Sequence, residues 1–170
     1  DLYDRRSVDI ADNPFLPRDG VGASNLCDFL HYGDVEITET YSDLGAYDES
    51  TFPVLSEEKQ RECVHGYWAS VSFVDAQIGR VLAELHRSGL ADDTIVVLWG
   101  DNGWHLGEHA LWSKVTSFEE STHVPLILRV PGRGEGRRIE TLVEVVDLYP
   151  TLCELAGLRS PSHVEGTSFA

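Results

Sequence analysis

Residues 94–100, TIVVLWG, decide the fold of this chain. They form one continuous run of β-branched and apolar side chains. Runs of this kind, buried on both faces, are typical of inner strands in parallel sheets that helices cover. We therefore predict a strand here. Open α/β sheets bind their ligands beyond the carboxyl ends of the strands, so we expect the chemistry directly after it.

A long helix is predicted immediately before this strand. Apolar residues recur at steps of three and four and make one helical stripe: Cys63, Tyr67, Val71, Val74, Ile78, Val81 and Leu85. Ser56 is a natural N-cap, and Gly89 is a natural C-cap. The helix should run roughly from Glu57 to Ser88.

Shorter elements are predicted after the strand. VPLILRV (124–130) is a second strand, ETLVEVV (140–146) a third extended piece, and Asp147 caps a helix over LYPTLCELAGL (148–158) that ends at Gly157. Residues 1–55 are rich in Pro, Gly and Asp and predict loops. We therefore expect a single domain over residues 1–170, loop-rich over 1–55 and of the α/β class over 56–170.

The composition limits the partners of the chain. Its 170 residues carry 29 acids against 13 bases, a formal net charge of -16, which repels nucleic acid and anionic membranes. Cys27, Cys63 and Cys153 form no CxxC pair, so we predict free thiols rather than a zinc knuckle. The chain contains no Met and opens on Asp1, so we expect a processed piece or a fragment.

The segment GDNG (100–103) follows the first strand directly. Asp101 and Asn102 offer a carboxylate and an amide oxygen, the hard ligands that suit Ca²⁺ or Mg²⁺. Two oxygens are too few for Ca²⁺, which takes about six to eight, so further ligands must come from elsewhere. The alternative is a simple Asx-type turn, which the same residues serve well.

Two further patterns lie downstream. His105, Glu108 and His109 spell H-x-x-E-H, a zinc-peptidase pattern that requires both histidines on one helical face. Glycines in and before this segment disfavour a helix, so we predict a loop. Lys114 lies among aromatic residues near the candidate cation site, where an ammonium group could hold an anion.

These motifs together resemble a known family. Residues 66–132, VEVVDLYPTLCELAGL (143–158) and EGTSF (165–169), in this order, are similar to the second half of the sulfatase catalytic domain, nearest its iduronate-2-sulfatase-like branch. The resemblance is weaker over residues 12–53. It implies an alkaline-phosphatase-like α/β fold, here a partial domain with flanking helices, a bound Ca²⁺ and hydrolysis of sulfate esters.

The resemblance also implies roles for individual residues. Asp101 and Asn102 would be metal ligands. Lys114 would bind the sulfate group and its bridging oxygen. His105 would assist the leaving group, and His109 would line the substrate pocket beside it. His123, in THVPL, is expected to be a structural hydrogen-bonding residue.

One departure from the family pattern sets the limits of this assignment. No cysteine or serine stands in the C-x-P-x-R pattern that carries the family's formylglycine nucleophile. We therefore expect formylglycine in a missing N-terminal part of the catalytic domain, which would be a partner of this chain, and we expect the chain alone to be inactive. Alternative functions are a phosphomonoester or phosphonate hydrolase of the same superfamily and a non-catalytic binding fragment. The family suggests a periplasmic, secreted or lysosomal protein.

Overall fold

The computed structural model describes residues 2–14, 55–114, 116–134 and 136–170. The chain divides into two compact units, the first comprising Asp1–Gly89 and Leu98–Ile127 and the second Leu90–Val97 and Leu128–Ala170. Most of the predicted loop-rich segment and Cys27 lie outside the described residues. Its described part, residues 2–14, contains one short 3-10 helix, Arg5–Ser7.

The predicted long helix is confirmed as α1, Glu57–Arg87. The Ser56 hydroxyl caps it by accepting a hydrogen bond from the Lys59 N–H at 3.3 Å. Gly89 takes the left-handed conformation, with φ +72°, that allows the chain to leave the helix. Within the described residues, no helix is both long enough and apolar enough to cross a bilayer.

Burial decreases along α1 from its beginning to its end. The core of the first unit consists of five buried residues: Val8, Leu55, Cys63, Val64 and Trp112. Further along the same predicted stripe, Val71 is 53% exposed and Val81 is 69% exposed. The helical periodicity therefore predicted the helix correctly, whereas only its first third contributes to the core.

Two predicted strands are confirmed. β1 (Val96–Trp99) and β4 (Leu126–Arg129) are neighbours in one two-stranded sheet. The prediction that β1 is buried on both faces is wrong, because Leu98 is 41% and Trp99 is 48% exposed. Among the described residues β1 has this single neighbouring strand, so its other edge is unpaired there.

A second small sheet, which the sequence did not predict, follows β1. β2 (His105–Leu106) and β3 (Trp112–Ser113) pair antiparallel, with His105 opposite Ser113 and Leu106 opposite Trp112. A one-turn helix, α2 (Glu119–Thr122), comes next and leads into β4.

In the second unit, no strand forms over residues 140–146, where the sequence predicted an extended piece. Its end forms a 3-10 helix, Val145–Asp147, which leads into α3 (Leu148–Leu155). Asp147 stands at the predicted start of α3, but its carboxylate caps other segments. It accepts hydrogen bonds from the Glu144 N–H at 3.0 Å and the Thr167 N–H at 2.7 Å, and these donors lower the pKa of the carboxyl below its usual value.

Candidate active site

Asp101 and Asn102 lie on an exposed bend between two fixed glycines. The Gly100 N–H donates to the Pro125 carbonyl at 3.0 Å, and the Gly103 N–H donates to the Ser121 carbonyl at 2.8 Å. Both candidate ligand side chains are exposed. The bend thus presents two oxygen-bearing side chains to solvent directly after β1, where the sequence placed them.

Gly103 permits a close approach that no other residue allows. A Cβ built on Gly103 would lie 1.9 Å from the Glu120 carbonyl oxygen. The next residue continues the contact, because the Trp104 N–H donates to the same carbonyl at 2.9 Å. The backbone of Gly103 and Trp104 is therefore held directly against the α2 backbone.

The H-x-x-E-H segment does not form an α-helix, in agreement with the sequence analysis. His105 is in β2, whereas His109 has a left-handed backbone with φ 57° inside the short 3-10 helix Glu108–Ala110. The two imidazole ring centroids are 6.4 Å apart. No group of three or more His, Cys, Asp or Glu side chains suited to a metal occurs in the part of the chain that the structure describes. This geometry does not provide the helical histidine pair that a zinc peptidase needs.

His105 is fully buried, with 0% exposure. Its Nε2 lies 2.8 Å from the Thr116 Oγ1, and its Nδ1 has no hydrogen-bond partner among the described residues. Burial lowers the pKa of the imidazole, although the nearby Glu120 and Glu108 carboxylates oppose this shift. The catalytic role implied for His105 stays a prediction. Because the side chain is fully buried, the structure favours a role in which His105 supports neighbouring residues.

His109 connects the N-terminal segment to the same loop. Its backbone N–H donates to the Asn13 carbonyl at 2.9 Å. Its ring stacks on Phe118, with ring centroids 4.5 Å apart, and its Nε2 lies 3.5 Å from the Glu120 Oε1. His109 is therefore partly enclosed by aromatic and acidic neighbours, and its predicted contact with substrate stays a prediction.

Lys114 follows β3 directly and is half-buried. The preceding residue, Ser113, is completely buried and has a left-handed backbone, with φ 73°. Within the described residues, no hydrogen bond or ion pair of the Lys114 ammonium group is found. His123, expected to be structural, has its Nδ1 2.9 Å from the Glu119 Oε1 on the exposed side of α2.

Sequence reasoning missed the polar residues that support this loop. Thr116 accepts a hydrogen bond from the Phe118 N–H at 3.1 Å and donates one to the Ser121 Oγ at 2.7 Å. Ser121 is buried, with only 3% of its surface exposed to solvent. Neither residue belongs to a motif, and a threonine or serine in TSFEEST is more often a solvated turn residue, so the sequence carried no signal for them.

Comparisons with known proteins place these features in a family. The Sulfatase family model matches residues 31–158. The chain is 36% identical to iduronate 2-sulfatase from Homo sapiens, a match that covers 99% of this chain and 34% of that protein.

Solved structures agree with this match. Phosphonate monoester hydrolase from Silicibacter pomeroyi superposes with a TM-score of 0.70 at 30% identity, over 99% of this chain and 32% of that one. A 2-O GAG sulfatase superposes with a TM-score of 0.72 at 25% identity, over 95% of this chain and 33% of that one. The fold is the alkaline-phosphatase-like α/β fold of these hydrolases.

The chain spans about a third of the length of these relatives. The family model nevertheless covers most of the chain, including the bend after β1, the H-x-x-E-H segment and Lys114. The chain thus belongs to the sulfatase family.

Proposed function

We propose that this chain supplies part of the cation site and the sulfate-binding lysine of a sulfatase that hydrolyses sulfate esters. The observation that carries the proposal is the exposed bend of Asp101 and Asn102 at the carboxyl end of β1. Lys114 follows on the same polypeptide segment, which Gly103 and Trp104 join to α2. Motif order and family membership together support this assignment.

The donor atoms of the bend fit a hard divalent cation. A carboxylate and an amide oxygen are ligands for Ca²⁺, and Mg²⁺ would accept the same donors. Asp101 and Asn102 would hold the ion, together with ligands from outside the described residues. When bound, the ion would polarise the sulfuryl oxygens and lower the pKa of the nucleophile.

Lys114 would neutralise negative charge on the substrate. An ammonium group has three donors and a compact charge, which suits the oxygen atoms of a sulfate group. In a chain with a formal net charge of -16, an anionic substrate needs such a local cation. Charge that grows on the bridging oxygen during cleavage would strengthen this contact, and contacts that strengthen in the transition state accelerate the reaction.

The histidines would complete the surroundings of the sulfate group. His109, stacked on Phe118, would line the substrate pocket. His105 belongs to the same loop, and its Nε2 is already engaged by Thr116. Assistance to the leaving group by His105 would therefore require the imidazolium form, with a second proton on Nδ1, the nitrogen that has no partner among the described residues.

The nucleophile would come from residues outside this sequence. Formylglycine is the expected nucleophile, and none of the three cysteines stands in its C-x-P-x-R pattern. An N-terminal part of the catalytic domain would supply it, along with the remaining cation ligands. The chain alone would then bind ligands weakly and would not turn over sulfate esters.

Replacement of Lys114 tests the proposal directly. In a catalytic domain completed by the N-terminal part, we expect Lys114→Ala to lower kcat/KM for an aryl sulfate by about 100-fold or more. The matched control is Arg87→Ala. Arg87 ends α1 and forms an exposed ion pair with Glu84 at 2.5 Å, so its loss should change kcat/KM by less than about threefold. Unchanged hydrolysis in the Lys114 variant would remove the basis of the proposal.

A phosphonate or phosphomonoester hydrolase is the second candidate, because the phosphonate monoester hydrolase superposes on 99% of this chain. Both ester classes present tetrahedral oxyanions, so the same cation and lysine would serve either. Competition between an aryl sulfate and an aryl phosphonate in one reaction separates the candidates. Preference for the sulfate by at least about tenfold in kcat/KM, or 1.4 kcal/mol, would favour the sulfatase.

A further inference from the structure

Two residues that flank Lys114, Ser113 and Thr116, both contact His105. Ser113, immediately before the lysine, pairs with His105 across the β2–β3 ladder. Thr116, two residues after the lysine, contacts the His105 Nε2 through its Oγ1 at 2.8 Å. The backbone of His105 thus pairs with Ser113 before the lysine, and its side chain contacts Thr116 after it.

The hydrogen-bond directions around Thr116 leave a single arrangement. Its hydroxyl donates to the Ser121 Oγ at 2.7 Å and accepts from the Phe118 N–H at 3.1 Å. A hydroxyl has one proton, so toward His105 it can only accept. His105 must therefore carry its proton on Nε2 and donate it to Thr116.

Two members of this network are buried, and Thr116 between them is half-buried. His105 is 0% exposed, and Ser121 is 3% exposed. The Phe118 ring lies edge-on to the imidazole, with centroids 6.0 Å apart. Buried, connected hydrogen bonds of this kind confine their members to one geometry. The same segment reaches back to the Asp101–Asn102 bend, since the Ser121 carbonyl accepts from the Gly103 N–H at 2.8 Å.

We propose that Thr116 is a positioning residue, which acts through His105 and Ser121 to hold Lys114 in the orientation that meets the sulfate group. This inference rests on the proposed function of Lys114. It assigns Thr116 no contact with substrate. A displaced lysine would still attract the anion but would meet the growing charge less well, so the loss should fall on kcat more than on KM.

Paired substitutions at Thr116 test this inference in the completed catalytic domain. Thr116→Val keeps the shape of the side chain and removes the hydroxyl that contacts His105, Ser121 and the Phe118 N–H. We expect kcat for an aryl sulfate to fall by about 10-fold or more with KM within about threefold. Thr116→Ser keeps the hydroxyl and should restore kcat to within about threefold of the parent. The matched control is Thr122→Val, at an exposed threonine of α2 that bonds only the Phe118 carbonyl, and its kcat should not change.

A spectroscopic measurement accompanies the kinetics. Nitrogen-15 spectra of the 170-residue chain should show the His105 proton on Nε2 in the parent and in Thr116→Ser. If Thr116→Val does not fold, Ser121→Ala replaces it, because this change removes only the acceptor of the Thr116 hydroxyl proton. A lower kcat in that variant would support the inference.

The outcomes separate this inference from the proposed function. A folded Thr116→Val enzyme with the parent kcat would overturn the positioning role while Lys114→Ala remained inactive. Equal losses in Thr116→Val and Thr116→Ser would also overturn it, since the hydroxyl would then be irrelevant. Full activity of Lys114→Ala would instead refute the proposed function.

Discussion

At the scale of single residues, Gly103 determines how the candidate ligands are presented. The sequence predicted a turn at GDNG from residue types alone. It could not predict the contact with the Glu120 carbonyl, because that carbonyl is 17 positions away along the chain and approaches Gly103 only in the folded structure. The position of Asp101 and Asn102 was therefore predictable, and the reason for the glycine beside them was not.

Substitution of this glycine should be costly. A Cβ at Gly103 would lie 1.9 Å from a backbone oxygen, which cannot move as a flexible side chain would. We expect Gly103→Ala to lower the free energy of unfolding by at least about 2 kcal/mol, measured by urea denaturation of the 170-residue chain.

Gly79→Ala is the matched control, because a Cβ at Gly79 has no atom within 4 Å. Gly79 lies inside α1, where alanine is preferred, so this change should raise the free energy of unfolding by about 0.5–1 kcal/mol. Equal effects of the two substitutions would contradict the close approach at Gly103.

The buried His105 should make stability depend on pH. Its pKa is lowered from 6.5 in the folded chain by burial, so below pH 6.5 the unfolded chain binds more protons than the folded chain. The stabilisation that comes from keeping His105 neutral is fully present above pH 6.5. It is lost as the pH falls from 6.5 toward the lowered pKa of His105 in the folded chain. The urea midpoint should therefore decrease as the pH is lowered from about 8 to about 5.

His105→Gln is the control for this pH effect. Glutamine can still donate a hydrogen bond to Thr116 but does not titrate. The difference in midpoint between the parent and this variant should be largest near pH 8 and should shrink on acidification. A difference that stayed constant with pH would show that His105 does not cause the effect.

At the scale of elements, long periodic segments were predictable and very short ones were not. α1, β1, β4 and α3 carry helical spacing or a continuous apolar run, and all four form within a few residues of the predicted bounds. β2 and β3 have two residues each, which is too short for any period to be visible. Residues 140–146 looked extended because four of the seven are β-branched, but the last two begin the 3-10 helix Val145–Asp147, which a capping box between Glu144 and Asp147 supports.

Thr151 tests how the last segment is attached to α3. This residue is completely buried, donates to the Asp147 carbonyl at 2.6 Å and accepts from the Phe169 N–H at 3.1 Å. Thr151→Val leaves that N–H unpaired, so we expect the free energy of unfolding to fall by about 1–3 kcal/mol. Amide hydrogen exchange at Phe169 should become faster in the same variant.

Thr151→Ser keeps the hydroxyl and is the control for the hydrogen bond. It should retain the slow exchange of the Phe169 amide while losing only the packing of one methyl group. If the Phe169 amide exchanged as slowly in Thr151→Val as in Thr151→Ser, the hydrogen bond to Phe169 would not contribute to holding the last segment on α3.

At the scale of the whole molecule, charge was predictable and burial was not. The formal net charge of -16 follows from composition alone. The exposure of Leu98 and Trp99 does not, because an apolar run has the same pattern whether or not other elements cover it. Family membership came from the order of the motifs, which is more specific than any one of them.

The same net charge predicts a salt dependence of stability. Repulsion between the many carboxylates is relieved on unfolding, and added salt screens it in the folded chain. We expect the thermal midpoint of the 170-residue chain to rise as NaCl increases from about 0.01 M to about 0.15 M. KCl should act equally, and a midpoint that fell with either salt would contradict the electrostatic origin.

The open apolar side chains along the later turns of α1 also affect the fate of the chain in a living cell. Val71 and Val81 are more than half exposed. Local opening of the helix would expose further apolar area, and contact with another protein surface at these side chains would protect the helix from proteases.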